Sequence, residues 1–298
     1  MSSDFHGLPT GGLGNRHLQL EFLAEAGPRI VRLFLAGSDE NLLAELPDVK
    51  WPTPYGDYFI YGGHRLWHAP EALARSSVPD TAGLSLETIG DGVRLRGPVE
   101  TATSIRKCIQ VQLHADRPVV TLQHALKNEG VWPIECAPWA ITQLPLGGLA
   151  LLPQPIGGLN GDNVLPNRHL ALWPYARWDD PRLELHDEFI LFRAEAQLPP
   201  CKIGYLNRHG WIGYLRNGVF FRKWFDPRAE QPHPDFNCNA EVYCNDAFVE
   251  LETVAPLLRL EPGQSTTHSE TWEFYTGLDI PATLEGARAL TNLLEVNS

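Results

Sequence analysis

The chain of 298 residues has 43% hydrophobic and 20% charged side chains, an ordinary globular balance that excludes a disordered chain. Its formal net charge of -12 argues against phosphate-backbone and anionic-membrane partners, so neither nucleic acid nor membrane is expected. Five cysteines (Cys108, Cys136, Cys201, Cys238, Cys244) with no C-x-x-C pair argue against a disulfide scaffold or thiolate zinc site, and no signal-peptide-like apolar stretch opens the chain, so a reduced cytoplasmic protein is expected.

Strand signals come first and dominate. Gly12-x-Gly14 lacks the third glycine of a dinucleotide fingerprint and reads as a loop. Residues 17–23 and 29–35 alternate with period two around Gly27-Pro28, a hairpin. Residues 84–89, 93–97, 105–113 and 119–127 follow, the last ending in the turn Asn128-Glu129-Gly130. Later strands are expected over 134–144, 189–195, 202–205, 211–215, 219–224, 240–244, 248–254 and 266–275. Two short helical segments are expected, a turn over 70–75 and a terminal helix over 281–294. In the latter Pro281 suits the first turn, and Leu284, Ala287 and Leu294 share a face. So many short strands at hairpin spacing predict an all-β, large antiparallel sandwich forming one domain over 1–298, with a short C-terminal helix.

Three features carry chemistry. Tyr61-Gly62-Gly63-His64-Arg65-Leu66-Trp67-His68-Ala69-Pro70-Glu71 reads as a loop in which the glycine pair permits close ligand approach and His64, Arg65, Trp67 and His68 face a ligand. His64, His68 and Glu71 would share one face only on a helix that Pro70 breaks, so no metal is expected there. In Phe248–Val254, alternation sets Glu250 and Glu252 on one face, roughly 6.5 to 7 Å apart, with Val249 and Leu251 on the other. Asn239, Glu241 and Tyr243 alternate likewise on the preceding strand and supply the donors and acceptors that hydroxyls need. Nine Trp, eight Tyr and twelve Phe, dense around Trp173-Pro174-Tyr175-x-x-Trp178 and 211–224, offer faces for sugar C–H groups.

Taken in order, several blocks resemble the galactose mutarotase-like superfamily, with the nearest likeness to its DUF4380-type branch. They are Gly62-Gly63-His64-Arg65-Leu66-Trp67, Leu172-Trp173-Pro174-Tyr175 with Asp180-Pro181-Arg182, Lys202-Ile203-Gly204, and Glu241-x-Tyr243-x-Asn245 through Glu250-Leu251-Glu252-Thr253. Leu260-Glu261-Pro262-Gly263 and Glu270-x-Trp272 complete the series. The resemblance implies a supersandwich with a sugar site on a concave sheet face and no cofactor. In aldose 1-epimerases a glutamate in a Leu-Glu-x-Gln context is the base; Glu252 matches it, but the glutamine does not. The stretch resembling the segment of the family's acid histidine, Pro138-Trp139-Ala140-Ile141-Thr142-Gln143, has no histidine, so His64 or Lys202 is the expected acid.

Two functional readings stand at this point. One is aldose mutarotation or a related sugar epimerisation by acid–base chemistry, with Glu252 and His64 catalytic and Arg65, Trp67, His68, Lys202, Glu241, Tyr243 and Glu250 binding a sugar or oligosaccharide. The other is a sugar-binding or sensing protein that lost the acid histidine. Glycoside hydrolysis fits poorly, because Glu250 and Glu252 project the same way from one strand instead of flanking a bond.

Overall fold

The computed structural model describes residues 4–157 and 165–296. Every strand pairing among them is antiparallel. One sheet of eleven strands runs Asp4–Phe5, Leu8–Gly14, Leu18–Leu23, Arg29–Leu35, His64–Ala69, Ile134–Leu144, Val249–Val254, Ala240–Cys244, Cys201–Tyr205, Ala171–Leu172. Leu258–Leu260 also pairs with Ile134–Leu144. The second sheet has ten strands, with Val219–Phe225, Ser265–Tyr275, Val119–Asn128 and Ile105–Leu113 side by side at its centre. Glu45–Thr53 and Gly56–Gly62 form a separate two-stranded ribbon.

The core lies between the two sheets. Leu20, Leu33, Leu66, Val242 and Leu251 of the first meet Ile109, Val111, Leu122 and Trp272 of the second. Each such side chain contributes about 1.5–3 kcal/mol on burial. A second cluster covers the far face of the ten-stranded sheet, where the helix Leu284–Val296 lays Ala287, Leu290 and Leu294 on Leu149, Leu151, Phe189 and Trp211. The helix starts later than Pro281 because Thr283 caps it, its Oγ1 accepting from the Gly286 N–H at 3.3 Å. The segment after Pro70 makes only a turn closed on the Ala72 carbonyl.

Two expected loops are strands. Leu8–Gly14 pairs with Leu18–Leu23, and Gly11 is there because a Cβ would stand 2.5 Å from the Phe22 ring. His64–Ala69 is a central strand of the eleven-stranded sheet, buried along its whole length. The glycines before it serve the backbone rather than a ligand. Gly62 and Gly63 have φ of 91° and 68°, and a Cβ on either would lie 2.0 Å from the carbonyl oxygen of Ala44 or Ile30.

Candidate functional site

Period-two alternation and strand register together assemble a polar cluster on the face of the eleven-stranded sheet turned away from the core. Val249, Leu251 and Thr253 point inward, so Glu250 and Glu252 point outward. Cross-strand pairing brings Glu241 beside Glu252 and Tyr243 beside Glu250. Lys202 follows beside Tyr243. On the other flank Glu252 pairs with Ile141 and Glu250 with Gln143, and Arg65 and Trp67 pair with Ile141 and Trp139. Of the nine residues named from the sequence, seven therefore share this front face: Arg65, Trp67, Lys202, Glu241, Tyr243, Glu250 and Glu252.

Lys202 is the electrostatic centre. Its ammonium lies 2.8 Å from Glu241 Oε2 and 2.9 Å from Glu252 Oε2, and over the rings of Trp139 and Trp173 at 4.5 and 4.6 Å. Burial opposes its charge, but the two carboxylates outweigh burial and raise its pKa well above the ordinary lysine value. Burial pushes Glu241 well up as well, against the pull of Lys202, with Glu252 adding like-charge repulsion. The Trp139 indole N–H donates to Glu252 Oε2 at 2.6 Å, which fixes one carboxylate oxygen and leaves Oε1 buried without a protein partner.

Arg65 donates through Nη2 to Glu250 Oε1 at 2.8 Å and stacks on Trp67 at 4.6 Å. Burial raises Glu250 to about 7 against the pull of Arg65, helped by the charge of Glu252. Arg65 Nε and Nη1 and both amide atoms of Gln143 are buried with no protein partner. Trp67 shares the face but offers no open ring. Its N–H donates to Tyr58 Oη at 2.7 Å, and it is packed among Trp51, Tyr58 and Trp139 as well as Arg65.

His64 and His68 do not join the cluster. Both precede or follow an outward residue by one position, so alternation turns them toward the second sheet, where each is fully buried. His68 lies 3.5 Å from Glu100, which Lys107 also binds. His64 belongs to a hydrogen-bonded chain whose proton positions follow from its ends. His124 Nδ1 faces the His268 carbonyl at 3.1 Å and must donate, so its Nε2 accepts from His64 Nε2 at 2.7 Å. His64 Nδ1 then accepts from the Thr142 hydroxyl at 2.9 Å. The Thr253 hydroxyl donates to Glu270 and accepts from His268 Nε2 at 2.7 Å. Burial lowers the pKa of all three imidazoles, that of His268 to about 3, so His64 stays neutral and cannot serve as the acid in the front cleft.

His64, His124 and Glu270 are close enough for their donor atoms to surround a metal ion. However, Lys223 places an ammonium 2.9 Å from Glu270 Oε1, where a dication would be repelled. The same ammonium donates to the carbonyls of Ala140 and Leu251 at 3.2 and 3.0 Å, tying the backs of the two strands that carry Trp139, Glu250 and Glu252.

Sequence reasoning missed Trp139 and Gln143, which sit in the segment quoted for its lack of a histidine; their pairing with Trp67 and Glu250 is a long-range fact. It also passed over Glu71 and Asp235 as ligand groups at the mouth. Both sense the charges of Lys202 and Glu252. Asp235 lies in a left-handed turn with Phe236, at φ of 52° and 59°. Tyr175 reaches in from the segment after Trp173, its ring 6.5 Å from that of Tyr243. A larger hollow, 1040 Å³, lies elsewhere, between Gly12–Glu21 and Phe34–Asp39, and none of the cluster residues lines it.

No protein-family model and no curated protein matches the chain. Solved structures do. A galactose mutarotase-like protein of Lactobacillus casei aligns at 10% identity and a TM-score of 0.59, over 89% of this chain and 100% of its own. A candidate aldose 1-epimerase of Escherichia coli K12 aligns at 12% identity and 0.55, over 91% of this chain and 100% of its own. A TPR-domain-containing protein of Parabacteroides distasonis aligns at 13% identity and 0.60, over 93% of this chain but 50% of its own, so the chain spans half of that protein. Likeness at these identities shows the fold: an antiparallel sandwich of the galactose mutarotase-like kind.

Proposed function

We propose that the chain binds a sugar on the front face of the eleven-stranded sheet and opens its ring by acid–base chemistry of the aldose 1-epimerase type. The observation that carries the reading is Glu252: a carboxylate clamped through one oxygen by Lys202 and Trp139, with the other oxygen buried and unpartnered. The DUF4380-type placement within the superfamily rests on the sequence blocks alone.

In this reading Glu252 Oε1 takes the proton of the anomeric hydroxyl, and a protonated acid gives one to the ring oxygen as the C1–O5 bond breaks. The open aldehyde rotates about C1–C2 and the steps reverse, with no net change in protons. Lys202 holds its proton too tightly, between two carboxylates, to be the better donor. Glu250, with a pKa of about 7, carries a proton over part of the neutral range and takes the acid role. Arg65 Nε and Nη1 and the amide of Gln143 offer hydrogen bonds to hydroxyls.

A second reading, sugar binding without turnover, is favoured by the inward orientation of His64, which leaves the cleft without the family's kind of acid. Polarimetry of freshly dissolved α-anomers, paired with calorimetry on the same aldoses, separates the two. Enzyme-dependent loss of rotation that vanishes in Glu252→Gln supports the first; binding with no acceleration supports the second; neither binding nor acceleration on any aldose refutes both.

A further inference from the structure

The front cluster holds more acid than base. Glu241, Glu250 and Glu252 rise from the strands, and Glu71 and Asp235 stand at the mouth, where both sense Lys202 and Glu252. Against these five carboxylates the cleft sets two cations, Arg65 and Lys202, which are already paired with Glu250 and with Glu241 and Glu252. From behind, Lys223 is matched by Glu270 at 2.9 Å and adds no net charge. Tyr175 and Tyr243 face the cluster as neutral phenols, their pKa values raised by burial.

A second observation points to a ligand independently of charge. Gln143 is fully buried beside Glu250 with neither amide atom partnered, and Arg65 has two buried N–H groups free. A third concerns what the site already accepts: the Lys202 ammonium sits between two carboxylates and over two indole rings, the surroundings a protonated amine prefers.

We propose that the ligand of this cleft is a cationic sugar, an aldose bearing a protonated amine, whose hydroxyls meet Arg65 and Gln143 and whose ammonium is held at the mouth by Glu71 and Asp235. This rests on the sugar reading above and narrows it to one substrate class. A neutral hexose would leave the mouth carboxylates desolvated and uncompensated, which costs affinity. An ammonium replaces the lost hydration with opposite charge. Glu71 and Asp235 have pKa values raised by burial, so they shed protons as the ammonium arrives, and affinity for the amine falls as pH drops and they stay protonated.

Calorimetry on the full chain tests this with three probes of matched shape: an aminohexose, the parent hexose, and its N-acetyl form, which keeps the bulk and removes the charge. At pH 7 the aminohexose should bind about tenfold tighter than either neutral sugar, the scale of one desolvated cation contact. The ratio should shrink at pH 5, and the double variant Glu71→Gln/Asp235→Asn should narrow it at pH 7. Both positions are at the mouth, and Asn tolerates the left-handed backbone of Asp235, so the variant is expected to fold. Equal affinity for all three sugars, or a ratio unchanged by the double variant, overturns the cationic class and leaves sugar binding intact. No binding of any of the three overturns both.

Discussion

Replacing Lys202 by methionine removes the ammonium between Glu241 and Glu252 and keeps most of the apolar stem. Both carboxylates are buried, at 1% and 0% exposure, and lie 2.8 and 2.9 Å from the Lys202 nitrogen. Breaking a buried pair by deleting one partner costs about 3–5 kcal/mol. An exposed pair would cost about 0–1 kcal/mol. Glu252 retains the Trp139 indole N–H at 2.6 Å, a charge-assisted bond, so the loss should sit at the low end, about 3 kcal/mol. The pH dependence carries a definite sign. Glu241 is already raised above its unfolded value by burial, and losing Lys202 raises it further. Between the unfolded and folded pKa the folded state then binds more protons, so the stability of the variant falls as pH rises and recovers as pH drops toward the unfolded value. Urea unfolding followed by tryptophan fluorescence at pH 8 and pH 5 measures both effects. A deficit of about 3 kcal/mol at pH 8 that shrinks at pH 5 is expected. A deficit below about 1 kcal/mol at both values would mean that solvent screens the trio, and the cluster could not be the dry cleft floor argued above.

Glu252→Gln should lower any mutarotation rate by roughly two to four orders of magnitude with a much smaller effect on sugar affinity; equal and small losses in Glu252→Gln and Glu250→Gln would remove Glu252 as the base. Arg65→Ala was expected from sequence to leave stability nearly untouched, but Arg65 is buried on Glu250 and Trp67, so the loss should be about 3–5 kcal/mol. Most of it should return in the double variant with Glu250→Gln; a double-mutant cycle showing no coupling would refute the pair. Lys223→Met should cost a similar amount by stranding Glu270 and freeing the carbonyls of Ala140 and Leu251, roughly 3–5 kcal/mol in urea unfolding. Unchanged stability would contradict its place as the tie between the sheets.

Much of the architecture was legible because period-two alternation is local. The segment 248–254 announced Glu250 and Glu252 on one face before any partner was known, and the strand Val249–Val254 places them so. Glu241 and Tyr243 followed by the same rule, and the terminal helix by its apolar stripe. The segment His64–Ala69 defeated the rule. It is covered on both faces, by the core behind and by Arg65, Trp67 and the ribbon in front, so polar and apolar residues fall on both sides and no alternation of hydrophobicity remains to be read.

The chain's own sequence therefore determined the two-sheet class and which side chains within a strand point together, because both depend on the backbone repeat and on turns a few residues long. The tertiary structure alone decided which of the two faces of His64–Ala69 meets the partner sheet, sending Arg65 to the cluster and His64 to a neutral hydrogen-bonded chain with His124. It alone brought Trp139 and Lys202 onto Glu252, from 113 and 50 residues away along the chain. Such choices rest on pairing between distant strands and on the cost of leaving a buried charge uncompensated, and neither is written in any short stretch of residues.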